Sequence, residues 1–373
     1  MTQKRILVAA GGTGGHIYPA LAVWEEIKSR HPDTDLSWIG SSHRMEADLI
    51  PSMGIDFHGI RQTEIRRGAS AGNLFYNMRS MWYLNKAIGE AKKLINELNP
   101  AVIISTGGFA AGATGLAAGM TRTPLVIIEP NAYPGLTNKK LGPAAEMIFI
   151  SYDSAREFFP VDKTFNYGVP TRKALFEIDR NEARQKLGIA EDTVMVLATG
   201  GSQGADSINI NLPFGILQMV RDFEDIDIKV FHQAGKGRID EARIFREEMD
   251  DDMYEVVEFI EDMPTHLAAA DIVVSRAGAS TLAEISAVGV ASIIFPFPKA
   301  AENHQYKNAK EWEDAGATIL LTDGSTNIGD MTASLSRLFY DRSVRDEMAA
   351  ASRKFSHPDS AKNIADKLDK FLG

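Results

Sequence analysis

Residues 4–21 read Lys-Arg-Ile-Leu-Val-Ala-Ala-Gly-Gly-Thr-Gly-Gly-His-Ile-Tyr-Pro-Ala-Leu. The apolar start of this stretch predicts a β-strand, its closely spaced glycines predict a tight loop, and the residues after them predict a helix. Glycine lets a ligand approach the backbone closely, and the exposed N–H groups at the start of a helix favour an anion. The stretch therefore predicts the first βα unit of a Rossmann-like domain, with a ligand loop at 11–16.

The same alternation of short β-branched runs and longer helical stretches continues along the whole chain, as is typical of parallel βαβ units. Strands are predicted at 5–9, 36–40, 57–60, 102–106, 125–129, 147–151, 164–167, 194–199, 228–233, 256–260, 272–275, 292–297 and 318–321. A chain of 373 residues is expected to form more than one core.

The predicted fold class is α/β, with two Rossmann-like domains facing across a cleft. The first domain is predicted at 1–167, and the second at 168–345 after a hinge near 166–170. A helical tail at 346–373 is expected to pack back on the N-terminal domain.

Composition narrows the class of protein. A formal charge of −10 argues against nucleic acid binding over the whole surface, and the absence of cysteine suits a reducing compartment. Neither a signal peptide nor a run of ~18 apolar residues is visible, so any membrane contact is expected to be peripheral. The predicted location is the cytoplasm.

Further strand ends run into small polar residues at 105–110, 200–205 and 275–281. Because the carboxyl ends of parallel strands lie at one edge of a sheet, these loops are expected to face one ligand cleft. A dinucleotide site would need a third glycine where Ile17 stands, and an acidic residue where the second strand ends in Gly-Ser-Ser at 40–42. An NAD dehydrogenase is therefore disfavoured.

The second half carries groups suited to a nucleotide diphosphate. Ser202, Arg276 and Thr281 can hydrogen-bond or neutralise phosphate, and Glu284 lies one helical turn beyond Thr281, where a carboxylate can accept both hydroxyls of a ribose. Glu284 has an alternative interpretation, because a glutamate on a helix is usually solvated. The polar run Glu-Asn-His-Gln at 302–305 suits sugar hydroxyls.

Over essentially its full length the chain resembles the MurG family of bacterial N-acetylglucosaminyltransferases. The matching stretches are 11–22, Arg-Met-Glu-Ala-Asp-Leu at 44–49, Gly-Leu-Thr-Asn-Lys at 135–139, 200–205 and 276–284. The resemblance implies the glycosyltransferase B fold and inverting transfer of N-acetylglucosamine from UDP-N-acetylglucosamine to the 4-hydroxyl of the MurNAc of lipid I, giving lipid II for peptidoglycan. It implies donor contacts at Thr13, Gly14, Asn131, Arg172, Ser202, Ile260, Arg276, Ala279, Thr281, Glu284, His304 and Gln305. It implies acceptor contacts at Thr13, Gly15, Gly107, Gly108 and Asn138.

The chain departs from the family pattern on the acceptor side. The usual His-Glu-Gln-Asn run is Ile-Glu-Pro-Asn at 128–131, a common tyrosine is Phe109, and the usual Asn-Pro-Val-Arg is Val-Pro-Thr-Arg at 169–172. The alternatives are a UDP-sugar epimerase, a glycosyltransferase acting on another lipid acceptor, and a non-catalytic UDP-sugar-binding scaffold. Other cell-wall synthesis proteins are compatible partners of the predicted transferase.

Two residues are candidates for the catalytic base. His16 lies in the first glycine loop, and the reference pKa of imidazole, near 6.5, leaves a neutral base at cytoplasmic pH. The other candidate is Glu129, at the end of a predicted strand. A lone histidine is more often structural, so His16 has that alternative. No obligatory cofactor is predicted, although a divalent cation is compatible with the reaction.

One segment is predicted to face a membrane. Between Arg61 and Lys93 there are seven basic residues (61, 66, 67, 79, 86, 92 and 93) and two acidic ones (64 and 90), a local charge of +5. Large apolar and cationic side chains recur there at helical spacing, as on helices that bind anionic lipid. Phe75, Arg79, Trp82 and Lys86 are the predicted contacts with the inner face of the cytoplasmic membrane. A core-facing helix with a solvated basic side is the alternative.

Overall fold

A computed structural model of the chain describes residues 4–61, 71–223, 226–245, 248–249, 252–323 and 328–373, with only the backbone described for 71–80. The chain divides into two compact units, Met1–Thr171 with Asp359–Gly373, and Arg172–Pro358. The predicted tail is shared between them. Its first helix, Arg342–Arg353, belongs to the second unit, and its last helix, Ser360–Leu372, belongs to the first.

The first unit contains a parallel sheet. Its strands are β1 (Arg5–Ala10), β2 (Asp35–Ser41), β3 (Asp56–Ile60), β4 (Val102–Gly107), β5 (Leu125–Glu129), β6 (Met147–Ile150) and β7 (Thr164–Asn166). Within the described residues their order is β3-β2-β1-β4-β5-β6-β7. The order of the strands reverses between β1 and β4, which are parallel to each other, so the loops after these two strands lie side by side. Open α/β sheets bind ligands at such a point.

Helices cover this sheet. They are α1 (Gly14–Arg30), α2 (Glu46–Ser52), α3 (Ala71–Leu98), α4 (Phe109–Thr121) and α5 (Leu136–Leu141). The last helix of the chain also contributes, since Ile364 and Leu368 are fully buried in the core cluster that contains β1 and α1. Arg30 and His31 at the end of α1 pair with Asp366 and Asp369 of that last helix. The returning helix therefore closes one side of the first core.

The second unit repeats this architecture. Its helices are α6 (Ala174–Glu177), α7 (Arg180–Lys186), α8 (Asp206–Asp222), α9 (Ile239–Ala242), α10 (Met263–Ala269), α11 (Ala279–Val288), α12 (His304–Asp314), α13 (Ile328–Tyr340) and α14 (Arg342–Arg353), followed in the first unit by α15 (Ser360–Leu372). Its strands are β8 (Val194–Thr199), β9 (Ile228–Gln233), β10 (Tyr254–Val257), β11 (Ile272–Ser275), β12 (Ala291–Ile294) and β13 (Ile319–Leu320). Among the described residues the sheet order is β10-β9-β8-β11-β12-β13, with parallel pairing throughout.

The predicted fold class of two parallel-sheet α/β domains is confirmed. A strand lies at each predicted site. Four of the strands have the predicted bounds, and seven others differ by no more than one residue at either end. The strand predicted at 256–260 instead occupies Tyr254–Val257, so Ile260 lies in the loop after β10. The strand predicted at 292–297 ends at Ile294, which places Pro296 and Phe297 in a loop. Apolar residues continue past both strand ends, and pairing with the neighbouring strands decides where the strands stop.

Candidate functional site

The first glycine loop is held from below by a buried carboxylate. Glu46, at the start of α2, is fully buried, and its two oxygens accept hydrogen bonds from Gly12 N at 3.1 Å and Ser41 N at 2.9 Å. A Cβ at Gly11 would overlap the same carboxylate. Glu46 therefore fixes the path of the loop, while Thr13, at its tip, is exposed.

His16 lies in the first turn of α1 and faces the loop after β4. The Thr106 hydroxyl donates to the His16 carbonyl at 2.7 Å. Gly107 has φ +110°, and a Cβ there would lie 3.1 Å from His16 Cε1. Gly108 has φ +90°, and a Cβ there would lie 2.8 Å from the Gly11 carbonyl oxygen. Glycine at these two positions lets the loops carrying His16 and Gly107 meet.

Glu129, at the end of β5, is 1% exposed and organises the loop that follows it. Its Oε1 accepts hydrogen bonds from Asn131 N and Nδ2, each at 3.0 Å. Its Oε2 accepts from Gly135 N at 3.0 Å and from Asn138 Nδ2 at 2.9 Å. Burial raises the pKa of Glu129, and these four hydrogen bonds act in the opposite direction. The carboxylate thus binds residues 131, 135 and 138 into one loop.

Asn138 brings the loop after β5 close to Gly107, which His16 also approaches. It is 1% exposed, and its Nδ2 would lie 3.6 Å from a Cβ at Gly107, the same position that His16 approaches. The loops after β1, β4 and β5 therefore bring His16, Gly107, Gly108 and Asn138 together at one edge of the sheet. Asn131 is also buried there, at 7% exposed, and its side-chain amide donates a hydrogen bond to Glu129.

The corresponding edge of the second unit carries the loop 200–205. Ser202, at its tip, is half-buried, and Gly201 and Gly204 have φ of +82° and +71°. Gly204 packs on the Ala234 carbonyl so closely that a Cβ would overlap it. The loop is therefore a tight turn with its N–H groups near the start of α8, an arrangement suited to phosphate.

Arg276 is held by a carboxylate of its own chain. Its Nη1 donates to Asp323 at 3.0 and 3.2 Å and its Nη2 at 3.2 Å, and the carbonyls of Phe295 and Pro296 accept from Nη1 at 3.2 Å. Arg276 and Asp323 side chains are 13% and 23% exposed. Asp323 thus neutralises much of the charge that the sequence assigns to the diphosphate, and the guanidinium joins β11 to the loop after β12.

Helix α11 begins with Ala279, Ser280 and Thr281, so its first N–H groups open toward the loop before it. Glu284, one turn along, is 16% exposed and pairs with Arg172 at 2.8 Å. Burial raises the pKa of Glu284, and Arg172 opposes that shift. The structure confirms a helix that starts at Ala279 and places the Glu284 carboxylate one helical turn beyond Thr281; the binding of an anion there stays a prediction.

The segment before α12 is held in an unusual backbone conformation. Glu302 and Asn303 have φ of +54° and +56°, a region that side-chain-bearing residues rarely adopt, and which clusters at ligand sites. His304 follows, with its Nδ1 2.7 Å from the Ala301 carbonyl. Burial lowers the pKa of His304, so the ring is neutral at pH 7 and its Nε2 can accept a hydrogen bond.

Gln305 lies next to this histidine, and its Oε1 accepts from Phe297 N at 2.9 Å. Its amide NH₂ is thereby directed away from that loop. His304 and Gln305 together offer one acceptor and one donor, a pairing suited to sugar hydroxyls.

The residues predicted at a membrane lie on α3. The side chains of Phe75 and Arg79 fall outside the described residues. Trp82 is 61% exposed, and Lys86 is exposed and 3.7 Å from Glu90. Within the described residues, no helix is long and apolar enough to cross a bilayer.

Several residues that shape these loops were not predicted as site residues. Glu46 and Gln233 are buried polar side chains at the carboxyl edges of the two sheets, and the exposed ring of Phe259 lies beside Ile260. The available signal was a polar residue ending an apolar strand, as in Gln233, or a carboxylate following a strand by a few residues, as in Glu46. Neither pattern reveals all of the partners, because Gly12 lies in the loop after β1, Thr199 on β8 and Ile260 in the loop after β10.

Family models match both halves of the chain. The glycosyltransferase family 28 N-terminal domain matches residues 6–150, and the glycosyltransferase family 28 C-terminal domain matches residues 195–364. The chain therefore belongs to glycosyltransferase family 28.

The relatives of the chain narrow the classification within this family. UDP-N-acetylglucosamine–N-acetylmuramyl-(pentapeptide) pyrophosphoryl-undecaprenol N-acetylglucosamine transferase of Leuconostoc citreum is 34% identical over 96% of both chains, and that of Desulforudis audaxviator is 34% identical over 99% of both. The crystal structure of Acinetobacter baumannii MurG superimposes with a TM-score of 0.77 at 26% identity, covering 99% of each chain. The resemblance to the MurG family is thereby confirmed.

A second structural neighbour shares the fold alone. The UDP-GlcNAc 2-epimerase of Neisseria meningitidis has a TM-score of 0.67 at 15% identity, and the match covers 98% of this chain and all of that one. Transferases and epimerases thus use one fold, so fold does not choose between them.

Proposed function

We propose that this chain transfers N-acetylglucosamine from UDP-N-acetylglucosamine to lipid I, forming lipid II with inversion at the anomeric carbon. The observation that carries the proposal is the joint arrangement of α11 and Glu284 in the second unit, in a chain 34% identical to transferases of that name. The helix start would bind the diphosphate and the carboxylate would accept the ribose hydroxyls.

The donor would contact several loops of the second unit. Ser202 and Thr281 would donate hydrogen bonds to phosphate. His304 would accept a hydrogen bond from a sugar hydroxyl, and Gln305 would donate one. Ile260 would contact uracil through its carbonyl, because its N–H already donates to Gln233. The exposed ring of Phe259 would pack on the base.

Arg276 would act indirectly. Because Asp323 holds it, the positive charge that stabilises departing UDP would come mainly from the helix start and the loop N–H groups. Arg172, which pairs with Glu284, would either move to phosphate or remain as the second partner of the carboxylate when ribose binds.

In the first unit, His16 would take the proton from the attacking 4-hydroxyl of MurNAc as that oxygen bonds to the anomeric carbon and UDP leaves. His16 is partly exposed, whereas Glu129 is buried behind four hydrogen bonds. Accessibility therefore favours His16 as base, with Glu129 holding the loop of Asn131 and Asn138. Thr13, Gly15, Gly107 and Gly108 would line the acceptor's path.

The direct test supplies UDP-N-acetylglucosamine with a short-chain lipid I analogue and follows UDP release and product mass. Product formed only when both substrates are present supports transfer. Conversion of UDP-N-acetylglucosamine to its 2-epimer would favour the epimerase alternative, and release of UDP that does not depend on the acceptor would contradict transfer to lipid I. Donor binding with neither reaction would favour the non-catalytic scaffold.

The role of His16 is tested by His16→Ala, for which kcat is expected to fall by about 10²–10⁴ while UDP affinity is unchanged. His31→Ala is the matched control. It lies at the opposite end of α1 and pairs with Asp369, so it removes an imidazole from the same helix without touching the loop. Equal losses in both variants would show a folding defect and remove His16 from the chemistry.

We further propose that the chain works at the cytoplasmic face of the membrane as a peripheral protein. Supporting this are exposed apolar side chains on two helices that pack together, Met81 and Trp82 on α3 and Leu116 and Met120 on α4, each 47–61% exposed. Exposed apolar side chains close to lysines suit an anionic lipid surface. A lipid-linked acceptor requires such a surface.

The membrane proposal is tested by sedimentation with vesicles containing anionic lipid. The double variant Trp82→Ser with Lys86→Glu is expected to reduce vesicle binding at least severalfold, since each lysine near the surface contributes about 1 kcal/mol. Lys93→Glu is the matched control because it lies near the far end of α3, paired with Glu97. Unchanged sedimentation of the double variant would refute this face as the contact.

A further inference from the structure

Gln233 links two ligand loops of the second unit. It is the last residue of β9 and is 2% exposed. Its Oε1 accepts a hydrogen bond from Ile260 N at 2.9 Å, and its Nε2 donates to Thr199 Oγ1 at 3.1 Å. Ile260 lies in the loop after β10, and Thr199 ends β8. One buried side chain thus connects the loops on both sides of the strand that carries it.

The connection reaches the phosphate-binding loop through Thr199. The same Oγ1 accepts from Gly201 N at 3.1 Å, at the start of the loop that contains Ser202. The strand beyond Gln233 contacts this loop again, because Lys236 N donates to the Ser202 carbonyl at 3.4 Å. The position of the Ser202 turn therefore depends on the same strand end that holds Ile260.

We infer that Gln233 is a positioning residue that sets the spacing between the base-binding and diphosphate-binding loops, an inference that rests on the proposed function. UDP spans both loops, so it binds tightly only when they stand at the right separation. Of these two loops, uridine would need only the Ile260 loop and inorganic pyrophosphate only the Ser202 loop, while Glu284 would still bind the ribose and the start of α11 the phosphates. Gln233 thereby contributes to binding the joined molecule more than to binding either part.

Glutamine is the side chain that suits both hydrogen bonds made by residue 233. The Ile260 N–H needs an acceptor, and the Thr199 oxygen that receives Gly201 N takes a second donor. A neutral amide provides both from one side chain, whereas an ionised glutamate lacks the donor, and methionine lacks the donor and offers only a weak thioether acceptor. Asparagine is one methylene shorter, so it cannot span both partners without moving a loop.

The first test compares Gln233→Met with Gln185→Met, an exposed glutamine of α7, by calorimetric titration with UDP, uridine and pyrophosphate. Two lost hydrogen bonds predict a fall of about 5- to 20-fold in UDP affinity for Gln233→Met. Uridine and pyrophosphate are expected to keep affinities within about twofold of the unsubstituted protein. Gln185→Met is expected to change none of the three.

A second variant tests the hydrogen bonds without removing polarity. In Gln233→Glu, a protonated carboxyl can accept from Ile260 and donate to Thr199 as the amide does, and burial favours that protonated form. UDP affinity relative to the unsubstituted protein is expected to recover as pH falls from about 8 to about 6. Gln185→Glu is the control, since an exposed carboxyl stays ionised throughout that range.

The outcomes separate the inference from the proposed function. If the unsubstituted protein does not bind UDP, the proposed function fails. If it binds UDP but Gln233→Met loses uridine and pyrophosphate as strongly as UDP, or loses nothing, the inference is overturned and the function stands. A Gln233→Met chain that does not fold leaves the decision to Gln233→Glu, where an affinity ratio independent of pH overturns the inference.

Discussion

Replacing Glu129 by glutamine is expected to loosen the loop after β5. The carboxylate accepts four hydrogen bonds at 2.9–3.0 Å, two on each oxygen. An amide turns one of these oxygens into a donor, so two donors lose their acceptor. At about 1–3 kcal/mol for each unsatisfied buried donor, partly offset by burying a neutral group, the free energy of unfolding should fall by about 2–3 kcal/mol.

Hydrogen exchange measured by mass spectrometry can localise this effect. The backbone N–H groups of Asn131 and Gly135 both donate to Glu129, so a peptide covering them should exchange faster in Glu129→Gln. Urea unfolding followed in parallel gives the change in stability. Peptides from α11 and the loop 200–205 should exchange as before, because they belong to the other unit.

The matched control is Glu146→Gln, an exposed glutamate just before β6 in the same unit. It should leave both stability and exchange unchanged. The reasoning is refuted if Glu129→Gln keeps its unfolding midpoint and its exchange pattern yet loses turnover. That result would mean that Glu129 acts on the reacting hydroxyl as a base, and the loop would not depend on it.

Three further results are expected. Glu284→Gln should weaken UDP binding by about 10- to 100-fold, since an amide accepts less strongly from the ribose hydroxyls. Calorimetry at pH 7.5 measures this affinity, and an unchanged value would contradict a contact between Glu284 and the ribose. In the unsubstituted protein the raised pKa of Glu284 means that UDP affinity should fall as pH is lowered toward that pKa, because the ionised carboxylate is the better acceptor, and Glu284→Gln should abolish this part of the profile. Gly107→Ala should lower the free energy of unfolding by about 1–3 kcal/mol and lower kcat, because the φ of +110° disfavours a side chain and a methyl group would contact His16. Gly89→Ala on α3, where a Cβ would contact nothing within 4 Å, should be neutral or stabilising in thermal unfolding. Similar effects at both glycines would contradict this prediction.

Much of this protein could be predicted from local sequence patterns. Alternating strands and helices, glycines at strand ends and the helix-start carboxylate Glu284 depend on periodicity and spacing over short stretches, and these patterns persist whatever the rest of the chain does. The fold class and the family followed from them. The order of the strands within each sheet was not predicted, because neighbours in the sheet are not always neighbours in the chain.

What tertiary structure decided were the partners of charged and polar groups. Arg276 is an available cation in the sequence, yet it meets Asp323, 47 residues away, once the segment after β13 packs against the end of β11. Glu129 resembles an accessible base until its loop folds back and supplies four donors. Gln233 gains its bridging contacts only because β9 lies between β8 and β10. Sequence determined which groups stand at the sheet edges, while packing determined which of them remain available to a ligand, because pairing depends on distances between segments far apart in the chain.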